Sequence, residues 1–231
     1  MLKYRKINVR FNNTHNKLDA RSSKAIRGAQ SPFRVCGCSE SVPRRDSIMK
    51  KLLLIMGDLA AGKSTFANLL SQRYCVNVFY KDSIKEILGD VLGFSNREEN
   101  RKLSTASMEL MYFIFSEFAK LRKPLILESN FHTAELENLH QIASDHGYQV
   151  LTLVLRGDTQ LLYQRYLRRM GENRHPVHLS TTMDVFDDFK RYTDRSRQEQ
   201  IPGEYIEVNA DDFHWQTDSV LMTKLDQFLK E

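Results

Sequence analysis

Short apolar runs alternate along most of this chain with longer stretches whose apolar residues recur every three or four positions. The runs at 51–56 (KLLLIM), 76–80 (VNVFY), 125–127 (LIL), 149–155 and 205–208 read as short strands, the most continuously apolar of them buried on both faces. Phe66, Leu69, Leu70 and Tyr74 fall at helical spacing, as do Ile84, Ile87 and Leu88 in a shorter segment. Leu103, Met108, Met111, Phe115 and Phe118 predict a long helix over about 101–120, ended by Pro124. Further helices are expected at about 133–146, closed by Gly147, from an Asp158 N-cap to about 170, at about 182–196, and at 216–230. Residues 89–100 read as a polar break punctuated by Gly89 and Gly93, and 171–182 as a polar loop. Strands alternating with helices predict an α/β chain: a parallel sheet of about five strands with helices on both faces.

The junction between the first strand and its helix carries the most specific signal. Gly57, Asp58, Leu59, Ala60, Ala61, Gly62, Lys63, Ser64 and Thr65 spell G-x-x-x-x-G-K-S-T, the Walker A phosphate-binding loop, in the strand–loop–helix context that the motif needs. The glycines let the backbone wrap phosphate oxygens. Successive N–H groups and the positive helix end then form an anion nest. Lys63 is expected to reach the β- and γ-phosphates, Ser64 to offer its hydroxyl to Mg²⁺, and Thr65 to bond a phosphate oxygen. By itself the motif does not separate a kinase from an ATPase or GTPase.

In an open parallel sheet, ligands sit beyond the carboxyl ends of the strands. Asp82, Glu128 and Arg156 also follow strands and should converge there with the loop. Asp82 is placed to orient or deprotonate an acceptor hydroxyl, or else simply to cap the helix it precedes. Lys85, one turn on, either steadies an anion or is a solvated helix lysine. Glu128 ends an apolar strand where an acid can hold a water on Mg²⁺ or orient the acceptor, and Asn130 can bond substrate or backbone.

Arg165, Arg168, Arg169 and Arg174 cluster at a helix end and in the loop beyond it. Phosphoryl transfer needs positive charge and exclusion of water, which a mobile arginine lid supplies. The alternative is a basic face complementing the helix dipole. Arg165 and Arg169 share a face, and Arg168 is expected to point elsewhere. His175 and His178 flank Pro176 without acidic or cysteine ligands nearby and read as loop residues.

Charge divides the chain. Residues 1–48 contain eleven Lys and Arg against three Asp and Glu, a formal +8 in a chain whose total is +5, so 49–231 carry −3. A nucleic-acid reading from charge therefore rests on the N-terminal segment alone. That segment is rich in Asn, Ser, Arg and Lys, and its composition predicts a disordered extension. A nucleic-acid-binding tail, a targeting peptide and a solvated extension are open, and Met49, just ahead of the first strand, also reads as a natural start. Three cysteines give no disulfide framework and no run approaches a membrane span, so a reducing cytoplasm is expected. Cys36 and Cys38 lack companion ligands and read as free thiols.

Strand–phosphate loop, Asp82-x-x-Lys85, strand–Glu128-Ser129-Asn130 and helix–Arg165-x-x-x-Arg169 together resemble the P-loop kinase group. That group includes adenylate-kinase-like small-molecule kinases, zeta toxins, chloramphenicol phosphotransferase and polynucleotide kinase, small ATP-binding enzymes of the AAA type. The resemblance covers roughly 50–230 and implies a three-layer P-loop NTPase fold with an Arg-rich lid. It implies that Asp82 is the acceptor-side base, that Lys85 contacts substrate or phosphate, and that Arg165 and Arg169 contact the nucleotide. The strand-end acid of the group is often Asp, so Glu128 is a departure. Asn209-Ala210-Asp211 falls where the group often borders adenine, and the absence of an N-K-x-D sequence favours ATP over GTP. The expectation is an ATP- and Mg²⁺-dependent kinase, monomeric or dimeric. Lys63, Asp82 and Arg169 would be catalytic, with Lys85, Glu128 and Asn130 toward a small hydroxyl-bearing substrate. A polynucleotide 5′-hydroxyl kinase and an acceptor-less ATP-hydrolysing or sensing module are the alternatives.

Overall fold

The computed structural model describes residues 50–171, 174–181 and 183–230. The basic extension expected over 1–48 lies outside the described residues. Five strands, β1 (Lys51–Gly57), β2 (Asn77–Tyr80), β3 (Leu125–Glu128), β4 (Gln149–Arg156) and β5 (Glu204–Asn209), form one sheet in the order β2-β3-β1-β4-β5. Every pairing is parallel. Among the described residues seven α-helices lie between and after them: α1 (Lys63–Tyr74), α2 (Lys81–Leu92), α3 (Arg97–Lys120), α4 (Thr133–His146), α5 (Thr159–Gly171), α6 (Phe186–Ser196) and α7 (Ser219–Lys230). Among the described residues no helix is long and apolar enough to cross a membrane.

The central strand β1 shows why its sequence is apolar without alternation. Leu53 and Ile55 face a core that α1, α5, α6 and α7 close with Phe66, Leu70, Leu162, Phe189 and Leu225. Leu52 and Leu54 face the opposite core, where α3 and α4 bring Met111, Phe115, Leu136 and Leu139. Both faces of the strand are buried, so every position is selected for apolarity. The result is the expected three-layer α/β sandwich.

Several boundaries differ from the sequence pattern. Gly89 does not break α2, because it is packed in the helix interior, where an added Cβ would meet Val177 at 3.4 Å and Phe94 at 3.5 Å. The helix ends at Gly93, whose N–H bonds the Gly89 carbonyl at 2.9 Å. The long helix α3 starts at Arg97 rather than 101: Asn96 Oδ1 accepts from the Glu99 amide, and the Glu99 carboxylate accepts from the Ser95 amide. Part of the loop expected at 171–182 is a 3-10 turn, Pro176–Thr181, and α6 begins at Phe186 instead of about 182. The linker before α6 is held by tyrosines of α5. Tyr163 donates to the Asp184 carbonyl and Tyr166 accepts from the Met183 amide. Asp158 caps α5 as expected, accepting from the Leu161 amide at 2.9 Å.

Candidate active site

A cleft of about 1670 Å³ opens at the carboxyl ends of the strands. Its floor is the turn between β1 and α1. Gly57 has φ 128° and lies so close to β4 that a Cβ would stand 2.1 Å from the Leu155 carbonyl oxygen. Gly62, with φ 83°, begins α1 without a side-chain cap, leaving the first turn of helix amides facing the cleft. Lys63 is buried, and its Nζ donates to the Gly57 and Asp58 carbonyls at 3.2 and 2.7 Å. Replacing Gly57 by alanine is expected to lower unfolding stability by about 3 kcal/mol or more, read as a drop in the urea midpoint, because strained backbone and overpacking add.

Of the nine motif residues, Leu59, Ala60, Gly62, Lys63, Ser64 and Thr65 line the cleft. Ala61 packs into the core. The Asp58 carboxylate is buried behind the loop, bound by the Arg197 guanidinium at 2.6 and 3.1 Å and by the Gly157 amide. The sequence pattern gave no sign of Arg197, which is 139 residues away and ties the loop to the end of α6.

Glu128, Lys63, Ser64 and Asp82 converge on the floor. Ser64 Oγ donates to Glu128 Oε2 at 3.1 Å. Burial raises the Glu128 carboxyl above its ordinary range, opposed by Lys63 and reinforced by Asp82. Burial likewise lowers the Lys63 ammonium, opposed by Glu128, Asp82 and Asp58. Asp82 is the second residue of α2 and not its cap: Tyr80 occupies the cap position. Among the described residues the Asp82 carboxylate has no hydrogen-bond or ion-pair partner within contact distance, yet it acts electrostatically on Lys63, Glu128, Lys85 and Arg174. Half-burial lowers the Lys85 ammonium, with Asp82 opposing. Asn130 also lines the cleft, and among the described residues its buried Oδ1 has no partner.

Arg165, Arg168, Arg169 and Arg174 all line the cleft, so Arg168 does not point away as its helical offset implied. Arg169 acts on both Lys63 and Glu128. Arg165 is held differently: it donates to the Ala210 and Asp211 carbonyls and stacks over Phe213 at 4.4 Å. Phe213 in turn stands over Gly62. His175 and His178 do have acidic neighbours, contrary to the sequence expectation. His175 Nε2 lies 3.0 Å from Asp90 and His178 Nε2 lies 2.8 Å from Glu86, both acids belonging to α2. Among the described residues no group of three or more His, Cys, Asp or Glu is arranged to hold a metal.

One wall is fixed by Glu199, whose carboxylate accepts from the Thr133 amide at 2.7 Å and hydroxyl at 2.6 Å and meets His132 Nδ1 at 2.8 Å. Burial pushes this carboxyl up, but the bonds from Thr133 and His132 outweigh it and hold it at about 2, below its ordinary 4.5. A depressed carboxyl stabilises the fold above its unfolded value and loses that contribution as pH falls toward the folded value. The stability difference between the wild type and Glu199→Gln is therefore expected to be full near neutral pH and to shrink between pH 4.5 and about 2, measured by urea unfolding.

No curated protein matches the chain significantly in sequence. Solved structures share its fold. A candidate kinase from Chloroflexus aurantiacus j-10-fl is 23% identical over 79% of this chain and 97% of its own, with a TM-score of 0.66. A gluconokinase from Sinorhizobium meliloti 1021 is 13% identical over 79% and 95%, with a TM-score of 0.53. The Mycobacterium tuberculosis APS kinase, solved with AMPPNP and APS, is 15% identical over 79% and 99%, with a TM-score of 0.50. These likenesses establish the P-loop kinase fold. The AAA domain family model matches residues 52–195, which take in β1 from Leu52, the phosphate loop, Asp82, Glu128, Arg165, Arg168, Arg169 and Arg174, and the chain belongs to that family.

Proposed function

We propose that this protein is an ATP-dependent kinase that transfers the γ-phosphoryl group to a hydroxyl of a small molecule. One observation carries the reading. The phosphate loop with Lys63 and the unpartnered carboxylate of Asp82 border a single cleft of about 1670 Å³. That exceeds the ~300–1,000 Å³ of an ordinary one-ligand pocket and leaves room for two reactants.

In this reading Lys63 and the α1 amides hold the phosphates, Arg165 and Phe213 border the base, and Arg169 neutralises charge on the moving group. Asp82 orients the acceptor hydroxyl and takes its proton as the oxygen–phosphorus bond forms and the bond to the β-phosphate oxygen breaks, releasing ADP. The residues on the floor suit Mg²⁺. The Ser64 hydroxyl and Glu128 carboxylate are hard oxygen donors 3.1 Å apart. Mg²⁺ keeps several waters and needs only one or two protein ligands. When bound it offsets the negative charge of the β- and γ-phosphate oxygens.

The test is ADP formation from Mg²⁺ and ATP in the presence and absence of hydroxyl compounds. A kinase is expected to show turnover that at least one acceptor class raises well above the basal rate. Turnover that no acceptor raises, with free phosphate as the product, would make the protein an ATP-hydrolysing module instead. A 5′-hydroxyl oligonucleotide in the same series tests the polynucleotide alternative, with 1–48 deleted as its control.

A further inference from the structure

The cleft carries far more positive charge than a nucleotide site uses. Eleven of its lining residues are Lys or Arg and four are Asp or Glu, although residues 49–231 as a whole carry −3. Some of these cations have partners: Lys81 pairs with Glu135, Arg191 with Asp188, and Arg165 rests on two carbonyls. Lys63 belongs to the phosphate loop, Arg169 acts on it, and Arg168 and Arg174 line the cleft from the end of α5 and just beyond it. Lys85, Arg97, Arg101 and Arg195 remain. Among the described residues none of these four has a side-chain ion-pair or hydrogen-bond partner, and the carboxylate acting on Lys85 is that of Asp82.

Topology separates three of these four, Lys85, Arg97 and Arg101, from the nucleotide side. The loop after β5, with Phe213, lies beyond β4 on one side of β1, whereas β3 and β2 lie on the other. Lys85 is on α2, which follows β2, and Arg97 and Arg101 are on α3, which packs against α2. Arg195 follows Tyr192 by three residues on α6, both line the cleft together with Asn130, and Tyr192 is acted on by Asp82. That face of α6 therefore closes over the same half of the cleft.

The placement of the α3 arginines runs against helix energetics. Arg97 is the first residue of α3 and Arg101 lies one turn in. Cations there oppose the positive end of the helix macrodipole. Nor are they neutralised along the helix, since Glu98 pairs with Lys102 and Glu99 is used by the Ser95 amide. Two helix N-termini, those of α2 and α3, thus bring their own positive ends and unpaired cations to one wall. Beside them the buried Asn130 Oδ1 waits for a hydrogen-bond donor.

We infer that the phosphoryl acceptor is itself an anion: a small hydroxyl compound bearing a carboxylate or phosphate, held by Lys85, Arg97, Arg101 and Arg195 with its hydroxyl toward Asp82. This rests on the kinase reading of the cleft. Guanidinium groups suit both anions because their paired N–H donors match two oxygens at once. The Asn130 Oδ1 accepts from a second hydroxyl of the same molecule.

The experiment uses the full chain saturated with Mg²⁺ and AMPPNP, titrated separately with inorganic phosphate and with malonate by calorimetry. At least one ion is expected to bind the wild-type complex. In the double variant R97A/R101A its dissociation constant is expected to rise tenfold or more, while AMPPNP affinity stays within about twofold. Retained AMPPNP binding also reports an intact fold, and Lys85→Ala, on a different helix, is expected to weaken the ion in the same direction. Preference for phosphate marks a phosphorylated acceptor, and preference for malonate a carboxylated one. No binding of either ion at millimolar concentration, or equal binding in wild type and variants, overturns the inference. So does a 5′-hydroxyl oligonucleotide that binds more tightly than both ions and displaces them. If AMPPNP fails to bind, the kinase reading falls, and the same titrations on the nucleotide-free chain still decide whether this wall takes anions.

Discussion

Lys63→Ala is expected to reduce phosphoryl transfer by about 10³-fold or more, with the fold retained. Lys63 is the buried cation at the centre of the phosphate loop, directly beside Glu128 and under the electrostatic reach of Asp82 and Arg169. In the transition state negative charge spreads over the transferring group, and a preorganised ammonium in a site shielded from water stabilises it far more than an exposed one would. Removing it also leaves the buried Glu128 carboxyl without its main opposing cation, so that carboxyl should rise further. Initial rates of ADP formation measure the loss. Circular dichroism and the urea midpoint separate it from unfolding. A variant that keeps more than a tenth of wild-type turnover would remove Lys63 from the catalytic account.

Asp82→Asn is expected to lower kcat by about 10²–10⁴-fold while nucleotide affinity stays within about twofold. The substitution keeps shape and removes only the charge and the proton-accepting capacity. Because Asp82 neither caps α2 nor pairs with another described side chain, its stability effect should stay within about 0.5 kcal/mol. That separates the two roles left open by the sequence: a capping aspartate would show its loss in stability, an acceptor-side base in kcat. Full activity in Asp82→Asn would end the assignment of this residue as the base.

The parts legible in the sequence were those whose physics is local. Leu52 to Ile55 announce a strand buried on both faces, and Gly57 to Thr65 announce the loop, because the pattern that marks each lies in consecutive residues. Asp158 was readable as a cap for the same reason. What escaped depends on contacts distant in the chain. The Asp58–Arg197 pair joins residues 139 apart, and His175 and His178 meet acids 85 and 92 positions earlier. Arg97 was hidden inside a stretch that Gly89 and Gly93 marked as irregular, and Gly89 lies in α2 against Val177 of the 3-10 turn, 88 positions on. Arg168 faced the wrong way on an ideal helical wheel, but a long side chain near a helix end reaches a cleft that its Cβ does not face.

The fate of the γ-phosphoryl group tests the central claim most directly. Phosphorus-31 NMR of the protein with Mg²⁺, ATP and a mixture of neutral, carboxylated and phosphorylated hydroxyl compounds follows every phosphorus atom at once. The expected result is a new phosphate-ester resonance that grows as ATP disappears, in step with ADP, and that neither Lys63→Ala nor Asp82→Asn produces. Inorganic phosphate as the only product besides ADP, formed at the same rate with and without the hydroxyl compounds, would contradict it.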